Sequence, residues 1–337
     1  MSKPFNERRR QQFLTESYSK AHEAYVLGER NYWKNALQAE GDSEQERRML
    51  ALTTHSNFAY ELLSLQYTAG TPIEDLRNEL MGVIEAYERY QKALSVYEGE
   101  ENTSVFYFRE LAHYPRLMQI IGLAYLLHRR DLLPRIAMLF DTNFYGRDAL
   151  VEELLDYELP DRVDTDQMFH QQPYAHLVHA MFRDTDEERV EDLQKYVLDW
   201  YPAMKYAPWH DGHLRIDGTE GDYFGYWAFE AGAVALLCDI DDSAITHMVY
   251  PKDLVAWARA NKALSEVKAS DSTRLRCEAN HPCPKEGWWF TPAKADSRRH
   301  FTQGETMPDL GSAWGSTIWQ WDEPGRVGTS SVPTRIE

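Results

Sequence analysis

The chain has 337 residues, 43% of them hydrophobic and 27% charged, with a formal net charge of −18. That is enough apolar material for at least one large core and is not the composition of a disordered chain, while the acidic excess argues against direct binding to nucleic acid or an anionic membrane. No apolar run is long enough to span a bilayer, and the amino-terminal MSKPFNERRRQQF lacks the apolar stretch of a secretory signal, so a cytoplasmic location is expected, with Cys238, Cys277 and Cys283 as free thiols.

Helical patterning runs through most of the chain. Apolar residues at helical spacing predict helices near residues 9–38, 44–68, 105–128 and 131–141. From Thr71, TPIEDLRNELMGVIEAYERYQKALSVYEG predicts another, with Thr71 as cap, Pro72 in the first turn and Glu74 reaching back in a capping box. Leu76, Leu80, Val83, Ile84, Tyr87 and Leu94 share one face of it, and Gly99 ends it. Beyond Gly146, the stretches RDALVEELLDYEL, PYAHLVHAMF, EERVEDLQKYVLDWYPAMK and PKDLVAWARANKAL continue the pattern. No internal repeat is visible. The expected fold class is all-α, an irregular helical bundle of two halves at 1–145 and 146–264. A small Trp/Pro/Gly-rich module of loops and short strands follows at 265–323, then a flexible tail at 324–337.

The charge is unevenly placed. Residues 151–242 carry 22 acids against 6 bases, whereas the flanking parts are nearly balanced. A field of that sign attracts a basic partner and speeds its docking. The candidate contacts are Asp156, Glu158, Asp161, Asp164 and Asp166, then Asp184, Asp186, Glu187 and Glu188, then Asp217, Glu220 and Asp222, and last Asp239, Asp241 and Asp242. A solvated acidic face that only keeps the protein soluble accounts for the same composition.

The stretch DYFGYWAFEAGAVALLCDIDDS, from Asp222 to Ser243, is the most apolar of the chain and holds a lone carboxylate at Glu230. Read as a helix from Gly225 to Cys238, it places Tyr226, Phe229, Ala233 and Leu237 on one side, with Trp227 and the upstream Trp200 as further core residues. A carboxylate buried there needs donors such as indole or phenol groups, because an unpaired buried charge is costly. Glu230 is therefore expected to pin neighbouring segments, while Asp239, Asp241 and Asp242 after the run are expected to be exposed.

Catalytic motifs are missing. No GxSxG elbow, phosphate-cradling glycine loop or HExxH helix is present. His210, Asp211 and His213 in WHDGH could meet a metal but lack a helical i, i+4 pair, and Cys277, His281 and Cys283 lack a fourth ligand nearby, so no metal and no cofactor is expected.

The run YVLDWYPAMKYAPWHDGH, followed by DYFGYWAFEAGAVALLCDIDDS and YPKDLVAWA, resembles the carboxy-terminal domain of the PoNi-type immunity proteins, which neutralise PoNe-type DNase toxins that bacteria deliver into competitors. Upstream, FRELAHYPRLMQIIGLAYLLHRRDLLPRI is more loosely similar to the amino-terminal helical domain of that family, so that the resemblance covers roughly residues 8–262. The Trp-rich CPKEGWWFTPA, with SRRHF and GETMP, is similar to an extension of immunity proteins of type VI secretion systems. The resemblance implies an all-helical, non-catalytic protein whose partner is a cognate toxin, a nuclease encoded next door. Two other classes stay open from the residues alone: a helical adaptor, and a metal-dependent hydrolase using His210, Asp211, His213 and Glu230.

Overall fold

The computed structural model describes residues 3–35, 40–159, 162–264, 276–291, 294, 297–310 and 317–321. The chain divides into two compact units, Met1–Ser265 and Glu266–Glu337, and each is taken by itself. The expected tail at 324–337 lies outside the described residues, as does Asp161.

The first unit is built of helices, in accord with the all-α expectation. In chain order they are α1 (Phe5–Arg8), α2 (Glu16–Trp33), α3 (Glu44–Thr68), α4 (Ile73–Glu98), α5 (Tyr114–Leu126), α6 (Leu133–Met138), α7 (Asp141–Phe144), α8 (Ala149–Asp156), α9 (Ala175–Phe182), α10 (Asp186–Ala203), α11 (Phe229–Leu237) and α12 (Lys252–Ala260). Among the described residues, no helix is long and apolar enough to cross a membrane. Side chains satisfy the orphan amides at several starts: Thr15 accepts from Tyr18 N at 3.2 Å, Ser43 from Glu46 N at 3.0 Å and Asp148 from Val151 N at 3.2 Å. The predicted capping box at α4 is not formed. Pro72 occupies the cap position with no side-chain bond, and Glu74 instead accepts the indole N–H of Trp257 at 2.7 Å. Gly99 ends α4 in the left-handed conformation, as its sequence position predicts.

Helix α5 is the axis of this unit. Every residue from Tyr114 to Leu126 except Arg116 is buried, which explains an apolar sequence without a polar face. It crosses α11 closely at Gly122, where a Cβ would lie 2.6 Å from the backbone N of Glu230. The helix expected from residue 105 starts only at Tyr114, because Val105, Phe106 and Phe108 reach the core from irregular backbone.

The expected helix over 225–238 also begins late, at Phe229. Tyr223 to Ala228 is a buried non-helical run, and its peptide groups are met by polar side chains from α2, α3, α5 and the turn between α1 and α2. Tyr223 N donates to Tyr18 Oη at 2.8 Å, Phe224 O accepts from Thr68 Oγ1 at 2.8 Å, and Tyr226 O and Trp227 O accept from Gln11 and Gln119 at 2.6 and 2.7 Å. A buried segment outside regular structure needs such partners for every peptide group. Gly225 lets the backbone through, with φ +116° and space so tight that a Cβ would sit 2.1 Å from Thr68 Oγ1. Tyr226 and Trp227 therefore precede the helix rather than line it, yet both are buried, as are Trp200 and Phe229.

The second unit contains strands β1 (Arg276–Glu278), β2 (Gly287–Phe290), β3 (Arg299–Phe301) and β4 (Ile318–Trp321), paired antiparallel in the order β1-β4-β2-β3. Trp289, Phe301, Met307 and Trp319 pack with Cys277 and Cys283 in its core. The two buried indoles find carbonyl partners, Trp289 at Lys285 O and Trp319 at Pro308 O, at 3.0 and 2.8 Å.

Candidate functional site

Glu230 has the donors that the sequence demanded. Its Oε1 accepts the hydroxyl of Tyr196 and the indole N–H of Trp200 at 2.9 Å, both from α10, while its own helix packs on α5. Burial pushes its carboxyl up to about 7, against the hydrogen bonds from Tyr196 and Trp200. The side chain is fully enclosed, so it ties α10 to α11 and has no route to a substrate. The hydrolase constellation does not assemble around it. His213 Nδ1 lies 2.8 Å from Tyr226 Oη, His210 stacks on Tyr201 with centroids 4.3 Å apart, and Asp211 accepts the Tyr201 hydroxyl at 2.8 Å. These three serve as packing partners around Tyr201 and Tyr226.

A groove of about 480 Å³ opens between α8, the 162–168 loop and α9. Three candidate contacts, Asp156, Asp164 and Asp166, line it with Glu153, and the apolar Val163, Met168, Val178 and Phe182 complete the wall. Arg162, which lines the groove, is committed elsewhere: its side chain is 6% exposed and pairs with Glu152 at 2.6 Å and Asp141 at 2.8 Å. Among the described residues, none of Glu153, Asp156, Asp164 and Asp166 takes part in an ion pair. Burial, with Asp156 and Asp164 adding to it, pushes the Glu153 carboxyl up. Carboxylates crowded in this way gain from an incoming cation, and the exposed ring of Phe182 can cover its aliphatic stem.

The other candidates fall into distinct settings. Asp184, Asp186, Glu187 and Glu188 are exposed at the start of α10, where Thr185 Oγ1 accepts from Glu188 N at 3.3 Å and donates to Glu188 Oε2 at 2.9 Å, and the helix dipole favours acids. Asp217 and Glu220 are exposed on a tight turn closed by their own backbone at 3.0 Å, and Asp222 pairs with Arg215 at 2.7 Å. Glu158 is half-buried against Arg130 at 2.5 Å. Asp239 and Asp241 are exposed as expected. Asp242 is not: it is buried, accepts the Tyr250 hydroxyl at 2.7 Å and pairs with Arg259, so it anchors the chain after α11 to α12 and is removed from the surface.

Sequence reading missed Glu153, masked by its buried neighbour Glu152, and the apolar half of the groove. It also passed over His176 and His179 on α9, which converge with Asp192 of α10; the signal was the HxxH spacing inside PYAHLVHAMF.

The crystal structure of protein PA2201 from Pseudomonas aeruginosa aligns with TM-score 0.58 at 20% identity over 75% of this chain and 92% of that chain, a likeness of fold. No curated protein sequence matches the chain. Residues 146–254 match the family described as PoNe immunity proteins (PoNi), C-terminal, a segment that holds the groove, Glu230 and most of the acidic surface. Residues 146–254 are thus similar to a PoNi carboxy-terminal domain, which supports identification of the chain as a non-catalytic, toxin-binding immunity protein.

Proposed function

We propose that the toxin is a DNase and that the acidic face of residues 151–242, centred on the groove between α8 and α9, occupies the toxin's basic DNA-binding surface. The observation that carries this reading is the set of groove carboxylates that, among the described residues, have no basic partner, Glu153, Asp156, Asp164 and Asp166, beside apolar side chains. A nuclease presents lysines and arginines to phosphates, and those side chains complement a groove that is acidic at its rim and apolar on its wall. Protection then takes place in the cytoplasm, where the toxin would meet chromosomal DNA, and requires no chemistry from the immunity protein.

The test uses the full chain and the toxin encoded beside its gene. In the triple variant Asp156→Lys, Asp164→Lys, Asp166→Lys, association at low salt should slow roughly tenfold to a thousandfold, because steering is lost and like charges meet. Cells expressing the toxin should lose protection while circular dichroism and melting temperature stay close to native. Unchanged kinetics, salt dependence and survival would reduce the acidic face to a solubility feature.

A further inference from the structure

We propose that His176, His179 and Asp192 form a binding site for a divalent late transition metal, zinc by preference, that clips α9 to α10. The inference is independent of the toxin reading. His176 and His179 stand three residues apart on α9, on adjacent positions of one face. Facing them is Asp192 of α10, whose side chain is 4% exposed. One ligand atom from each of the three lies within 4.8 Å of the others, and His176 Nδ1 is 3.8 Å from Asp192 Oδ1. Tetrahedral zinc with bonds of about 2.0–2.2 Å holds its ligand atoms roughly 3.3 Å apart, so rotamer adjustments of about an ångström close the site.

Two observations point beyond chance proximity. His176 Nδ1 is buried and, among the described residues, has no hydrogen-bond partner, although Asp192 Oδ1 lies 3.8 Å away. On the other side of the same ring, Nε2 lies 3.5 Å from Asp199 Oδ2. A carboxylate there favours the tautomer with the proton on Nε2, which leaves Nδ1 to ligate, the arrangement by which outer-shell acids orient metal-bound histidines. Asp192 is prepared similarly, since its Oδ2 accepts Arg183 Nε at 2.7 Å and its Oδ1 remains for the ion. Lys195 is the competitor, with Nζ 3.8 Å from the same oxygen, but its closer contact is Glu191 at 2.8 Å, so it can yield. His179 is exposed, which gives ions an entry path and leaves the fourth position to water. Two imidazoles and one carboxylate suit zinc, nickel or copper rather than magnesium or calcium.

The experiment uses the full chain without a histidine tag, stripped with chelator and dialysed against zinc chloride. The expected result is one zinc per chain at micromolar free zinc, with a higher melting temperature. His179→Ala, at an exposed position, should weaken binding by about tenfold or more and leave the melting temperature of the metal-free protein unchanged. Asp199→Asn should weaken it by roughly 10–100-fold as a positioning residue. The double variant Cys277→Ser, Cys283→Ser should bind as the native chain does, and cobalt should report nitrogen and oxygen ligands without a sulfur charge-transfer band. Absence of stoichiometric zinc uptake, uptake unaffected by His179→Ala, or uptake abolished by the cysteine variant would each overturn the proposal.

Discussion

Arg162 and Glu152 meet in a two-point salt bridge, at 2.6 and 2.8 Å, with both side chains almost wholly out of water at 6% and 3% exposure. Asp141 completes the pair on a second edge of the guanidinium at 2.8 Å. The loop that forms one wall of the acidic groove is thus held by a charge cluster beneath it. Glu152→Gln should cost roughly 3 kcal/mol, because removing one partner leaves a buried charge short of compensation. Urea denaturation checks this, and toxin binding by the folded fraction should weaken as the wall loosens.

Trp227 is buried with its indole N–H on Thr68 Oγ1 at 2.8 Å. Trp227→Ala should destabilise the protein by roughly 3–5 kcal/mol through lost contact and a residual cavity. Protection of toxin-challenged cells should fall only in proportion to folded protein. A soluble variant with a native melting temperature would contradict the packing described for the 223–228 run.

Glu230 supplies a pH dependence whose sign follows from its environment. The folded chain keeps this proton up to about pH 7, the unfolded chain only to about 4.5. Between those values the folded state holds more protons, so the contribution of Glu230 to stability is full below about 4.5, declines as pH rises and is gone above about 7. In Glu230→Gln that decline, roughly 3 kcal/mol over the window, should be missing. Guanidinium denaturation of both proteins across the window measures the difference in slope, whatever constant offset the amide introduces. Toxin binding should be retained, since the side chain is far from reach of a partner.

The acids after α11 should separate by burial. Asp242→Asn disturbs a buried pair with Arg259 and the Tyr250 hydroxyl, and should cost about 1–3 kcal/mol. Asp239→Asn with Asp241→Asn should stay within about 0.5 kcal/mol of native, as exposed changes do. Calorimetric melting distinguishes the two variants.

Sequence alone made a helix legible where one face is apolar and the start carries its own cap, as in α10. It misplaced the start of α11 because a run buried on all sides has no periodicity to separate helix from extended chain. Gly225 and the remote Gln11, Thr68 and Gln119 decide the matter, and no local pattern reports them. Asp242 was misread for a similar reason, since its partner Arg259 lies 17 residues on. The carboxylate role of Glu230 was legible, because burial of a lone charge demands donors, but its actual donors Tyr196 and Trp200, 34 and 30 residues upstream, were not. The groove was legible only as excess charge: Asp164 and Asp166 belong to it through a loop geometry that Arg162 sets.

The dressing of residues 223–228 by Tyr18, Gln11, Thr68 and Gln119 bears on how such immunity genes can be shuffled. A recombination event that joined this carboxy-terminal half to a foreign amino-terminal half would leave a string of buried peptide groups without partners unless the donor carried the same polar side chains at those few places. New toxin specificities are therefore expected to arise by drift of exposed acids within an intact gene, or by replacement of the whole 3–264 block, rather than by exchange at its midpoint.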